Sequence, residues 1–226
     1  MGIGELNEGP LHSALKAAYA ANGGDAEVAI DGFVADAVRG GVIYEIQTGS
    51  FSGLRRKLGH LVRDSRLVLV HPIARNSYIV KVGEGGEIVD RRLSPKHGEL
   101  AHIVSELVYL PELLMEDNFA VEAVLVDQEE IRVFDAKKRR RRGGWRVRER
   151  RLLTILDSVR IASGRDLLEF LNSDLPLPFT TRDLGDALSQ PRHIAQQFAY
   201  CLRHSETAEL CGKQGNALEY RLVLED

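Results

Sequence analysis

FVADAVRGGVIYEIQ, residues 33–47, holds two apolar runs, Phe33–Val38 and Val42–Gln47, on either side of Arg39-Gly40-Gly41. Their β-branched content and the glycine pair between them predict two strands joined by a tight turn. Each run has one acid set inside it, Asp36 in the first and Glu45 in the second. A carboxylate in a buried strand is costly without a compensating partner or a metal. Side chains alternate along a strand, so Glu45 and Gln47 point to one face. If the two strands pair as a hairpin, Asp36 and Glu45 converge. Two carboxylates with nearby backbone carbonyls suit Mg²⁺ or Mn²⁺ rather than zinc, and a cation relieves the repulsion between them. The plainer alternative is that Asp36 faces solvent on an edge strand and that Glu45 and Gln47 form the polar face of a half-exposed one.

Working outward, PLHSALKAAYAA (10–21) predicts a helix, with Pro10 at its first position and Leu11, Leu15, Ala18 and Tyr19 on one face. Glu27–Ile30 reads as a strand, and Asp31-Gly32 after it is a hairpin signal. Downstream, residues 52–62 predict a helix. Leu67–Ile73 (LVLVHPI) is the continuous apolar run of a strand covered on both faces. Residues 77–82 and 87–92 predict a hairpin around Gly83-Glu84-Gly85-Gly86, residues 98–109 a helix, and 119–126 with 130–134 a strand pair. The expected first domain, residues 1–136, is an α/β layer structure around one mixed sheet.

The chain has 226 residues and a formal net charge of −3. That length suits two domains better than one. The charge is unevenly placed: residues 137–151 carry ten Lys or Arg against the single acid Glu149. No secretory pattern opens the sequence and no run approaches the ~18 apolar residues of a membrane span. A cytoplasmic protein with no membrane role is therefore expected. Cys201 and Cys211 lack zinc-ligand spacing and are expected to be small buried hydrophobes.

Asp36, a gap of eight residues, then Glu45-Ile46-Gln47 resembles the PD-(D/E)XK nuclease superfamily, in which an acid is followed on a hairpin by acid-x-lysine. The resemblance covers residues 8–75 and is strengthened by the order helix, hairpin, motif, helix, buried strand. It implies a restriction-endonuclease-like fold. Asp36, Glu45 and the Ile46 carbonyl would hold Mg²⁺ or Mn²⁺, and Glu8 would match the extra acid many members carry before the first helix. It further implies phosphodiester hydrolysis, with the metal polarising the phosphate and lowering the pKa of an attacking water. This chain departs from the pattern at Gln47, which stands where the lysine belongs. Gln47 can orient a water but supplies no charge. Lys57 on the following helix is the candidate for the migrated lysine, and Arg55 and Arg56 are candidates for phosphate contact. His12, one turn into the helix, could line the pocket but reads first as a packing residue, Glu27 reads as a surface residue, and His71 as a satisfied core histidine.

Composition shifts after Asp135. Residues 137–150 read as a basic linker in which Lys137, Lys138, Arg139, Arg140, Arg141 and Arg142 neutralise DNA phosphates and Trp145 adds a stacking ring. Residues 151–226 predict helices at 150–159, 165–171, 181–188 and 191–204, then two short strands around Gly212-Lys213-Gln214-Gly215-Asn216. That order resembles a winged helix-turn-helix domain. Arg192, His193, Gln196 and Gln197 would face DNA from its second helix, and Lys213 from the wing.

The expectation is a Mg²⁺-dependent DNA endonuclease with a winged-helix DNA-binding domain, acting in transposition, restriction, repair or phage defence. Its partners would be DNA, and a second copy or a partner nuclease or recombinase where both strands are cut. Two alternatives stand beside it. One is a nuclease fold without catalysis that binds DNA or serves assembly. The other is a winged-helix transcription regulator.

Overall fold

The computed structural model describes residues 8–21, 23–30, 32–135 and 142–223. It is a mixed α/β structure with one large sheet, one small sheet and several helices. The large sheet has seven strands in the order β1-β2-β3-β4-β6-β7, with β5 paired to β4. These are β1 (Asp25–Ile30), β2 (Phe33–Arg39), β3 (Val42–Ile46), β4 (Arg66–Val82), β5 (Ile88–Leu93), β6 (Phe119–Phe134) and β7 (Trp145–Ile161). The chain divides into two compact units. One holds residues 1–48, 70–100 and 123–159; the other holds 49–69, 101–122 and 160–226.

In the first unit, helix α1 (Pro10–Ala20) starts at Gly9 with Pro10 in its first turn and buries Leu11, Leu15 and Tyr19, one residue per turn. Tyr19 meets the Tyr44 ring of β3 at 5.2 Å between centroids. Gly24 follows the helix where a Cβ would lie 3.0 Å from the carbonyl oxygens of both Ala20 and Val38, so this close approach requires glycine. β1 and β2 pair antiparallel from Ile30↔Phe33 to Asp25↔Val38. β2 and β3 pair through Arg39↔Val42, Val38↔Ile43 and Ala37↔Tyr44, with Gly40 and Gly41 at positive φ in the turn.

In the second unit, α2 (Arg55–Leu61) buries Leu58 and Leu61. A 3₁₀ turn (Leu100–Ile103) runs into α3 (Val104–Leu107), where a twelve-residue helix at 98–109 was expected. Beyond a further 3₁₀ segment (Arg165–Phe170), the strand β8 (Phe179–Thr180) leads to α4 (Thr181–Leu188) and α5 (Arg192–His204). A hairpin of β9 (Ala208–Gln214) and β10 (Ala217–Leu222) follows, and the small sheet is ordered β8-β10-β9. Thr180 and Asp183 form a reciprocal cap on α4: Thr180 Oγ1 accepts from the Asp183 N–H, and Asp183 Oδ2 accepts from the Thr180 N–H at 2.8 Å. Gly185 lets α4 and α5 close on each other, since a Cβ there would meet Gln190 O at 3.2 Å and Ala195 Cβ at 3.4 Å. Phe198, Leu184, Leu202 and Phe179 form this core, with Phe179 stacked on Tyr220.

Three expectations are corrected. Residues 150–159 are not a helix opening a second domain at 151: they lie within β7, a 17-residue strand beside β6. Leu152, Leu156 and Val159 fit a helical stripe as well as a strand, and pairing with a distant strand decides between them. For the same reason residues 145–150 are not linker but strand. Trp145 is half-buried against Phe134, edge-on at 5.7 Å, with the Lys81 ammonium over its ring. β4 and β6 are also each one long strand where two short ones were expected. Among the described residues no helix is long and apolar enough to cross a membrane.

Candidate functional site

The β2–β3 ladder ends at Ala37↔Tyr44, and one further step of its register faces Asp36 with Glu45. There a side chain takes over from the backbone: the Ile46 N–H donates to Asp36 Oδ2 at 2.8 Å. The same oxygen lies 3.3 Å from His12 Nε2 on α1. His12 Nδ1 meets Glu8 Oε1 at 2.5 Å. The imidazole therefore spans two carboxylates, one at each ring nitrogen. Lys16 sits one turn further along α1, with its Nζ 2.8 Å from Glu8 Oε2 and 2.8 Å from Glu27 Oε1 on β1.

His12 and Lys16 are spaced i, i+4 on one face of α1, and Glu8, just before the extended cap residue Gly9, meets both of them. Their apolar neighbours Leu11, Leu15 and Tyr19 anchor the helix and so fix this polar row beside the sheet. Glu27 reaches Lys16 from a backbone position of positive φ (56°), unusual for a residue with a side chain. The side chains of His12 and Lys16 are only 19% and 12% exposed, so the contacts are partly shielded from water.

The electrostatics follow from that shielding. Burial alone would lower the pKa of His12, but the facing carboxylates of Asp36 and Glu8 outweigh it and hold the imidazole above its usual value. Burial likewise works against the charge on Lys16, and Glu27 and Glu8 overcome it, leaving its pKa raised. Glu8 is held below the ordinary carboxylate range, chiefly by Lys16 and then by His12, against a smaller effect of burial. The cluster is thus an acid-rich knot compensated by the Lys16 ammonium and, when protonated, by His12.

One ligand atom each from Glu8, His12 and Asp36 lies within 4.8 Å of the others. Two carboxylates and an imidazole at that spacing fit a divalent ion, and the imidazole shifts the preference from Mg²⁺ toward Mn²⁺. Such an ion would compete with the proton on His12. Of the expected set, Asp36 and Glu8 are brought together. Glu45 is buried (8% exposed) and stands outside this three-residue group, and Ile46 meets Asp36 through its N–H. The Gln47 carbonyl is bonded by His71 Nδ1 at 2.7 Å, and the Gln47 N–H donates to Val70 O. Lys57, Arg55 and Arg56 lie on α2 in the second unit, where Lys57 is half-buried and Arg55 stands 3.5 Å from Glu112. Lys16 is the participant that residue-by-residue reading missed, and His12, read first as a packing residue, lines the cluster instead; the four-residue spacing of the two along α1 is the signal that marks them.

The expected DNA contacts are dispersed. Lys137, Lys138, Arg139, Arg140 and Arg141 lie outside the described residues. Arg142 begins a 3₁₀ turn ending at Gly144, whose carbonyl accepts from the Asp135 N–H. The arginines of β7 have partners in the chain: Arg146 with Asp135, Arg150 with Glu130, and Arg148 and Arg151 with Glu149. On α5, Arg192, His193 and Gln196 are exposed, joined by Tyr200 and Arg203, and Lys213 is exposed on β9. Gln197 is a correction: it is half-buried and accepts from Ser105 Oγ at 2.9 Å, so it serves packing. Cys201 is buried, which pushes its thiol up to about 12 with a contribution from Glu112, whereas Cys211 is exposed on β9 rather than buried.

Residues 9–162 match the model of a family described as "Domain of unknown function (DUF8091)". The matched stretch runs from the cap of α1 to one residue past β7. A protein of Treponema pallidum (strain Nichols), described as an uncharacterized protein, is 33% identical over 186 residues, covering 82% of this chain and 74% of its own length. No solved structure matches.

Proposed function

We propose that this chain, which belongs to the DUF8091 family, hydrolyses phosphodiester bonds in DNA with the help of a divalent metal ion. The observation that carries this reading is the meeting of Glu8, His12 and Asp36 at the point where the β2–β3 ladder ends. The order α1-β1-β2-β3-α2-β4 with the strands adjacent in sequence supports it, since this is the arrangement that the resemblance to PD-(D/E)XK nucleases implies.

Glu8, His12 and Asp36 would hold the ion, with buried Glu45 facing Asp36 where the β2–β3 register is continued one step. When bound, such an ion polarises a phosphate oxygen and generates a strong nucleophile from water near neutral pH. The chain's own groups have distinct tasks. The Ile46 N–H fixes the Asp36 carboxylate. The Lys16 ammonium, tethered by Glu8 and Glu27, places a fixed positive charge beside the cluster and takes the charge-neutralising part that Gln47 cannot supply.

The second unit supports DNA as the substrate. A strand, two helices and a hairpin with the sheet order β8-β10-β9 is the arrangement expected of a winged helix. The exposed face of α5, Arg192, His193, Gln196, Tyr200 and Arg203, contains no acid. Such a face suits phosphates and base edges.

A second reading is favoured by Lys16. An ammonium already bonded to Glu8 and Glu27 makes the cluster self-compensated, as in a nuclease fold kept for DNA binding or assembly alone. Incubation with supercoiled and linear DNA, with Mg²⁺ or Mn²⁺ and with chelator, separates the two. The first reading expects metal-dependent cutting that Asp36→Ala and Glu8→Ala abolish. DNA binding with no cutting under either metal leaves the second, and cutting undiminished in both variants removes the assigned site.

A further inference from the structure

β7 is the last strand of the large sheet, with β6 on one side. A sheet edge offers a row of unpaired backbone groups to any other strand, and natural edges commonly carry a proline or a charge against this. The centre of β7, Leu152-Leu153-Thr154-Ile155-Leu156, has neither. Leu153, Ile155 and Leu156 are 47%, 43% and 47% exposed. They project from both faces of the strand, since alternate residues point opposite ways.

We infer that this chain self-associates through β7, two copies pairing antiparallel about a two-fold axis at Thr154. In an antiparallel ladder, facing residues share both a face and a hydrogen-bonding direction, so a strand meets its own copy only in registers centred on a residue. Centred on Thr154, Leu153 faces Ile155, Leu152 faces Leu156, and Arg151 faces Asp157, each pair occurring twice. Centring on Leu153 instead sets Glu149 against Asp157. Centring on Ile155 sets Leu153 against Asp157 and Arg150 against Arg160. Like charges or an apolar residue against a carboxylate disfavour both. Centred on Thr154, the first such mismatch, Glu149 against Val159, comes only five residues from the axis, against two for Ile155 and four for Leu153, so the pattern selects Thr154, with apolar pairs at the centre and ion pairs outside them.

Arg151 already lies 2.8 Å from Glu149, and its five donors leave capacity for Asp157 of the second copy. The favourable pairing ends beyond Arg150 and Ser158, where Glu149 faces Val159 and Arg148 meets Arg160; these two arginines each lie beside an acid of their own chain, Glu149 and Glu122. This inference rests on β7 alone and does not depend on the proposed function.

The test is sedimentation velocity of the full chain over a concentration series. A dimer is expected, Arg151→Asp weakens it by about tenfold or more, and adding Asp157→Arg restores it. Facing Cα atoms lie about 4.5–5.5 Å apart, within disulfide reach. In a Cys211→Ser background, Thr154→Cys therefore gives covalent dimers on mild oxidation, while Ser158→Cys, which faces Arg150, does not. A chain monomeric at every concentration overturns the inference. So does a dimer indifferent to Arg151→Asp, or cross-linking through position 158 as fast as through 154.

Discussion

Replacing Lys16 by Met keeps the length of the side chain and removes its charge. Lys16 makes two ion pairs: one with Glu8, where both side chains are mostly shielded, and one with Glu27, which is 53% exposed. The exposed pair is screened and is worth about 0.2–0.5 kcal/mol, and the shielded one about 1 kcal/mol. Against this, the variant no longer desolvates an ammonium, so the net loss is about 1 kcal/mol. In a chain of this size that lowers Tm by about 2–4 °C. The further consequence distinguishes a metal site from an ion-pair knot. Without Lys16, Glu8 loses its ammonium partner and the carboxylates of Glu8 and Asp36 are less compensated, so a divalent ion replaces it. Mn²⁺ at a hundred times its Kd adds about 2.7 kcal/mol to the stability of the wild type. In Lys16→Met the ion binds more tightly, so the gap between variant and wild type closes or reverses as Mn²⁺ rises. The assay is thermal unfolding of both proteins across a Mn²⁺ series, with chelator as baseline. A gap that stays constant at all Mn²⁺ concentrations refutes the reasoning, because the ion then does not share the site with Lys16.

Other outcomes follow from the same structure. Gly164→Ala should cost about 1–3 kcal/mol in urea unfolding, because its Cβ would stand 2.0 Å from Ser205 Oγ and 2.1 Å from Thr207 Oγ1, both on buried residues; an unchanged midpoint would mean the neighbours yield freely. Asp183 has its folded pKa lowered, chiefly by hydrogen bonds from the Thr180 backbone and then its hydroxyl. Its contribution is therefore present above the unfolded carboxylate pKa and lost as pH falls through the folded value. Asp183→Ala should accordingly destabilise at neutral pH by about 0.5–2 kcal/mol, with the cost shrinking progressively as pH falls below the ordinary carboxylate pKa; a cost that stays constant down to the acid end of the stability range would contradict the capping account. Replacing Arg139–Arg142 by Ser should flatten the salt dependence of DNA binding by up to about 3–4 in the log–log slope, measured by fluorescence anisotropy. An unchanged slope would remove that segment from the DNA interface.

The hairpin of β2 and β3 was legible because its signals are local: two β-rich runs, a glycine pair, and one acid inside each run. The same holds for α4, whose Thr180–Asp183 cap is written within four residues. What sequence reading missed is what contacts between distant residues decide. β7 carries leucines at helical spacing, and only its place beside β6 makes it a strand. The site shows the same division. Asp36 stood out as a charge within an apolar strand. His12 and Lys16 did not, because a histidine and a lysine on an amphipathic helix are unremarkable until α1 is laid against β1 and β2. Gln197 illustrates the converse: nothing in its local sequence distinguishes it from exposed Gln196, and the partner Ser105 lies 92 residues away.

The central claim is that Glu8, His12 and Asp36 form one divalent-metal site. Its most direct measurement is titration of the metal-free protein with Mn²⁺, read by the loss of the free-ion electron paramagnetic resonance signal. The account predicts saturation at one ion per chain for the wild type, with that binding lost in Asp36→Ala and in His12→Ala. Binding of equal stoichiometry and affinity in all three proteins, or no binding by the wild type, would contradict it.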